Sequence, residues 1–189
     1  MRRRTTLIAT TLLAVLAGGC SDPVMIAGDY VPGPPRGGPS APTVHDRWES
    51  CEVAAPVPSS EPDEHPVAFS LPLLGDGFQP VAVIACAEGP RLLPDDSLEW
   101  ATRETRSEQI TDLVAALRLP DQVQAPGSEG FCTMELPAIP WLALVDDAGR
   151  WIRPGIPFDG CEKPRPEVGD AFDTLMVAAA ASRSAAPPR

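Results

Sequence analysis

Apolar residues are distributed along this chain in several distinct patterns. Val67–Leu71 and Val81–Ala87 are short apolar runs with β-branched members, each preceded by a proline, and they read as strands. Gly75, Asp76 and Gly77 lie between them and supply a turn. Leu98, Trp100 and Thr102 alternate with charged or small residues, a third strand signal. Residues 138–146 (AIPWLALVD) form a longer apolar run. Asp146, Asp147, Ala148 and Gly149 are turn formers, and Arg150–Arg153 (RWIR) returns, so this stretch reads as a hairpin. Elsewhere the period changes to that of a helix. Ile110, Leu113, Val114 and Leu117 recur at steps of three and four, predicting a helix over 107–119 that Pro120 stops. Thr105 with Glu108 has the spacing of a capping box, and Ser107 is a second cap candidate. A second helix is expected over 166–180, with Val168, Ala171, Phe172, Leu175, Met176 and Ala179 as its stripe and Pro166 and Glu167 in its first turn. The order β-β-β-α-β-β-α predicts an α+β fold: a small antiparallel sheet with about two helices packed on one face.

The N-terminus has a different logic. Residues 7–17 (LIATTLLAVLA) are a largely apolar stretch behind Arg2, Arg3 and Arg4. A spanning helix needs about 20 apolar residues, so this stretch fits the apolar region of an export signal. It ends in Ala17, Gly18, Gly19 and Cys20, which resembles the lipobox of bacterial lipoproteins. Ala17 stands where that family usually has leucine, and Leu16 is one position earlier. The resemblance implies a signal peptide over 1–19, cleavage before Cys20, and diacylglycerol on the Cys20 sulfur. The protein would then sit on the outer face of the cell membrane, its partner there being the bilayer itself. Two acyl chains give stable attachment where one does not. Arginine far in excess of lysine, absence of asparagine, and abundant alanine and proline make the chain similar to uncharacterised lipoproteins of high-GC Gram-positive, actinobacterial type.

Pro, Gly and Ser dominate the next segment, so 20–44 is expected to be the lipidated cysteine and a tether, with too little apolar surface to offset the entropy of ordering. The extracytoplasmic domain is expected over 45–180, and 181–189 as a frayed, disordered tail.

The chain has five cysteines. With Cys20 assigned to lipid, Cys51, Cys86, Cys132 and Cys161 remain, an even set that outside the cytosol most simply makes two disulfides. Four cysteines allow three pairings. Cys132 and Cys161 lie at equal chain distance from the hairpin turn at Asp146–Asp147, so matched positions on its two legs favour that pair, leaving Cys51 with Cys86. Zinc sites usually show close CxxC pairs, which are absent here, and no metal or cofactor is expected.

Charge narrows the partners. The net charge is −11, and removing Arg2, Arg3 and Arg4 with a leader deepens this by three, to −14. Such a surface repels nucleic-acid phosphates, so no nucleic-acid role is expected. The chemistry-bearing residues are sparse. His45 and His65 lie in polar, proline-rich surroundings. Gly127–Gly130 (GSEG) is only superficially like a nucleophile elbow and has no preceding strand. Carboxylates cluster at Glu61, Asp63 and Glu64, at Asp95 and Asp96, and at Asp146 and Asp147, the last two explained as turn residues. Trp48, Trp100, Trp141 and Trp151 are the main aromatic mass, and Trp141 and Trp151 flank the hairpin turn. These features favour a non-enzymatic binding or scaffolding domain with an unknown envelope protein or glycan as partner. The alternatives are an envelope hydrolase using paired carboxylates, or an accessory subunit of an envelope complex.

Overall fold

The computed structural model describes residues 29–38, 40–55, 67–128, 131–134 and 139–184. In chain order the elements are β1 (Tyr30–Pro32), β2 (Val44–His45), α1 (Cys51–Ala54), α2 (Val67–Ser70), β3 (Ala82–Leu92), β4 (Leu98–Ser107), α3 (Thr111–Leu117), β5 (Gln122–Gln124), β6 (Trp141–Val145), β7 (Trp151–Ile152) and α4 (Pro166–Ser184). The fold is α+β, as its pattern of periods predicts. Five strands form one antiparallel sheet in the order β2-β7-β6-β3-β4, and β1 pairs with β5 in a separate ribbon.

β3 is the central strand and has two halves. Ala82–Cys86 are buried without exception, because β4 and β6 flank them and both faces of the sheet are covered. An unbroken apolar run is what such a position requires. From Ala87 to Leu92 the sequence turns polar, and among the described residues the strand pairs only with β4, forming a two-stranded ribbon. Pro140 precedes β6, and the β6 ladder on β3 stops at the next residue, at the Cys86–Trp141 pair.

One sheet face carries Val83, Ala85, Leu142, Leu144 and Ile152 against Leu113 and Leu117 of α3 and Val168, Phe172 and Leu175 of α4. The expected stripes of both helices are the ones buried. The other face carries Ile84, Cys86, Ala143 and Val145 against Cys51, Trp48, Trp141 and Trp151.

Four expectations are corrected. The helix expected over 107–119 begins only at Thr111, and no side chain caps it. Thr105 and Ser107 belong to β4, opposite Ala85 and Val83. A cap contributes about 0.5–2 kcal/mol. The ten-pair ladder with β3 outweighs it, at roughly 0.2–1 kcal/mol per favourable side-chain pair. Ser107 Oγ instead accepts the Gln109 N–H at 3.2 Å. The strand expected over Val67–Leu71 is the short helix α2. Apolar runs of this length do not distinguish strand from buried helix. Here the carbonyls of Ala68, Leu71 and Pro72 are taken by loop partners: Ile156 N, Arg36 Nη1 and Gly155 N. Gly155 has no alternative at that crossing, since a Cβ would collide with the Leu71 carbonyl and Arg36.

The third correction concerns the tether. Its second half is part of the fold. Tyr30–Pro32 pair with Gln122–Gln124, and Gly33 N donates to Asp121 O at 2.7 Å. Arg36 grips Asp121 through two parallel bonds of 2.7 and 2.6 Å, donates to the Leu71 and Ile156 carbonyls at 2.6 Å each, and lies over the Phe158 ring. Asp121 is buried and also accepts the Phe158 N–H. Composition alone argues for a free segment, but one arginine with a buried carboxylate and two carbonyls to satisfy overrides it. At the other end, α4 continues to Ser184 instead of ending at 180. Residues 185–189, and with them most of the expected tail, lie outside the described residues.

Candidate functional site

The two expected disulfides are both present. Cys51 and Cys86 are joined with Cα atoms 5.6 Å apart, and Cys132 and Cys161 at 5.5 Å. They differ in setting. Cys51 and Cys86 are buried, whereas Cys132 is exposed and Cys161 half-buried beneath Tyr30. The first bridge ties α1 to the outer sheet face. Glu104, opposite Cys86 in the ladder, completes the attachment: its carboxylate accepts the Cys51 N–H at 3.1 Å and the Trp48 indole N–H at 3.4 Å.

This fastening places three tryptophans side by side. Trp48 meets Trp151 edge-on with centroids 5.3 Å apart, and Trp141 lies 6.0 Å from Trp48 and 5.9 Å from Trp151. Trp141 and Trp151, which flank the hairpin turn in the sequence, therefore pack across it, with Trp48 as a third member. His45, despite its polar, proline-rich surroundings in the sequence, is in β2 and stacks on Trp151 at 4.1 Å. Arg153 lies over Trp141 at 5.3 Å, and burial pushes its guanidinium below its ordinary pKa.

A cleft of about 670 Å³ opens where β6 ends and β3 runs on. It has two walls. Phe172 and Met176 of α4, with Ala85, form an apolar wall on the helical side. Cys51, Glu52 and Ala55 of the α1 segment, with Cys86, Glu88 and Trp141, form the other. Thr102 and Thr105 of β4, and Ile139 and Pro140, also line it. Trp141 carries the one buried side-chain N–H of the described residues without an acceptor. Apolar walls with a few convergent polar groups are the usual make-up of a ligand site.

The other expected candidates lie elsewhere. Asp95 and Asp96 sit at the tip of the β3–β4 ribbon, where Asp95 accepts both the N–H and the hydroxyl of Ser97, bonds that hold its carboxyl below the usual range. Asp146 organises the hairpin turn, accepting the N–H groups of Ala148 and Arg150 at 3.0 and 2.8 Å. Burial opposes ionisation of Asp146, but the Arg150 side chain and these N–H groups outweigh it and lower its pKa. Gly149 takes φ 79° to close that turn. Ser128 donates to the Ala125 and Asp29 carbonyls and belongs to a turn. Cys20, Glu61, Asp63, Glu64, His65, Glu129 and Gly130 lie outside the described residues.

No family model, curated protein or solved structure matches this chain. The site therefore rests on its own geometry. Glu52, Glu88, Phe172 and Met176 were not among the expected site residues. The sequence signal nearest to them is Pro140, beside the point where the β6 ladder on β3 stops. Two disulfides indicate an oxidising, extracytoplasmic setting. Among the described residues, no helix is long and apolar enough to cross a membrane.

Proposed function

We propose that this chain is a lipid-anchored extracytoplasmic protein whose domain binds an envelope partner in the cleft beside β3. The observation that carries the reading is the pairing of an apolar cleft with an aromatic cluster that a buried disulfide fixes in place. The lipobox-like Cys20 supplies the anchor in this reading. Asp29 and Tyr30 are already docked, so only about ten residues separate the anchor from the fold. Fully extended, they reach at most ~36 Å, which keeps the β1 end of the domain close to the bilayer.

The test combines fractionation with crosslinking from the cleft in cells. Cys20→Ala is expected to be released or left uncleaved, and a variant still membrane-bound at mature size would refute the anchor. A photoreactive residue at Glu52 is expected to crosslink an envelope component that the same residue at Asp173, on the exposed side of α4, does not. Identical patterns from the two positions, or none from Glu52, would remove the cleft as the site.

A second reading has one observation in its favour: two carboxylates, Glu52 and Glu88, border the cleft. As a hydrolase the protein would lose turnover of envelope polymers in Glu52→Gln and in Glu88→Gln while still binding them.

A further inference from the structure

We propose that the cleft takes an extended peptide of alternating basic and apolar residues, which adds to β3 as a strand in line with β6; this rests on the cleft being the binding site. Three independent features converge on that occupant.

The first is the open edge. Among the described residues, β3 pairs only with β4 from Ala87 to Leu92. Six residues at about 3.3 Å each offer ~20 Å of strand edge. Unpaired edge groups are a template for strand addition, in which main-chain bonds supply affinity and alternate side-chain pockets supply selectivity. Pro90, which lacks an N–H, limits the ladder such an edge offers to indiscriminate pairing.

The second is the difference between the two walls. Side chains of an added strand point alternately to the two sides of the sheet. On the helical side they meet Phe172, Met176 and Ala85, and the Arg103 guanidinium lies across Gly89, so that side accepts apolar residues and repels cations. On the outer side they meet Glu52 and Glu88, neither of which makes an ion pair with a described Lys or Arg. Charge complementarity therefore places basic residues on one side and apolar ones on the other, which is the period of a strand. The overall acidity of the chain acts in the same direction.

The third is the unsatisfied indole. A buried donor without an acceptor calls for an explanation. Trp141 Nε1 is such a donor on a residue that lines the cleft. A main-chain carbonyl of the added strand is the acceptor this proposal assigns to it.

The experiment uses the full chain, purified with its anchor in detergent micelles, and three synthetic octapeptides. One alternates lysine with valine, one has glutamate for lysine, and one is the lysine peptide with alternate amides N-methylated. The lysine peptide is expected to slow hydrogen exchange at least tenfold along Ala87–Leu92. The other two are expected to bind at least tenfold more weakly. Glu88→Lys, a change at an exposed side chain, is expected to raise the Kd for the lysine peptide at least tenfold with an unaltered melting curve. The double variant Glu52→Gln, Glu88→Gln gives the same reading without charge reversal. Equal affinity for the glutamate peptide, equal affinity for the N-methylated peptide, binding without protection of Ala87–Leu92, or no binding by the lysine peptide would each overturn strand addition. The in-cell crosslink from Glu52 is scored separately, so loss of this proposal and loss of the cleft as a binding site give different results.

Discussion

The two faces of the central sheet are buried to the same depth by opposite means. Val83, Leu142, Leu144 and Ile152 on one face are at most 4% exposed, and Ile84, Cys86, Ala143 and Val145 on the other at most 6%. The first face lies under two amphipathic helices whose apolar stripes meet it directly. The second is covered by a stretch whose longest helix is α1, four residues. That stretch is held by discrete fastenings: the Cys51–Cys86 bridge, the Glu104 carboxylate, and a bond from Trp48 N to the Gly149 carbonyl at 3.0 Å. Periodic cover needs no staple because its apolar face is continuous. Irregular cover needs one, and it leaves a cleft where it ends.

The helical side is the more sensitive of the two to truncation. Leu144→Ala removes a fully buried side chain between the sheet and the helices, and a loss of about 3 kcal/mol is expected, within the range of such truncations. Urea denaturation with an unchanged m-value is the measurement. A loss below about 1 kcal/mol would mean that the helices close over the cavity and that this face is not rigidly packed.

The two disulfides differ in setting more than in loop length. They close loops of 35 and 29 residues, so the chain-entropy contribution differs by only about 0.2 kcal/mol. Each double Cys→Ala replacement should cost about 2–4 kcal/mol, and any larger gap must come from packing. Loss of Cys51–Cys86 is expected to cost more, since both its sulfurs are in the outer core, and to shift tryptophan emission to the red. Loss of Cys132–Cys161 should leave the emission in place, because Trp48, Trp141 and Trp151 are clustered around the Cys51–Cys86 bridge instead. Under mild reductant, thiol trapping should label Cys132 and Cys161 first. Labelling of Cys51 and Cys86 first would show that the outer cover opens readily and is not the firm wall the cleft requires.

The helical face was legible in the sequence and the outer face only in part. The stripe Val168, Phe172, Leu175 repeats at helical steps whatever surrounds it, and the hairpin was announced by Asp146–Gly149 between apolar runs. The sulfur pairing was also readable, from chain symmetry about that turn. What was not readable depended on distant partners. Thr105 and Glu108 look like a helix start until β3 is laid beside them. Arg36 looks like a lone charge in a spacer until Asp121, 85 positions on, is buried against it. Glu52 and Glu88 carry no motif, and they become a pair only because α1 is stapled above β3. Local period survives folding, whereas proximity across the chain is created by it.

The smallest expected effect is electrostatic and falls at the N-terminus of α4. Hydrogen bonds from the Arg165 guanidinium, at 3.1 and 2.5 Å, hold the Glu167 carboxyl below its ordinary range, against a smaller opposing contribution from burial. A carboxyl with a depressed folded pKa contributes stability above its unfolded value, about 4.3, and loses it as pH falls through the lower folded value. The contribution is therefore complete at neutral pH, starts to fall as pH drops through the unfolded value and is gone below the lower folded one. Glu167 is half exposed, so solvent screening keeps the effect small. The urea midpoint of the wild-type chain should fall between pH 5 and pH 3, and the fall should be shallower in Glu167→Gln, which has no proton to gain. Equal slopes in the two proteins would mean that Arg165 is held by the Pro120 carbonyl alone, and that the ion pair adds nothing to the regular cover of the sheet.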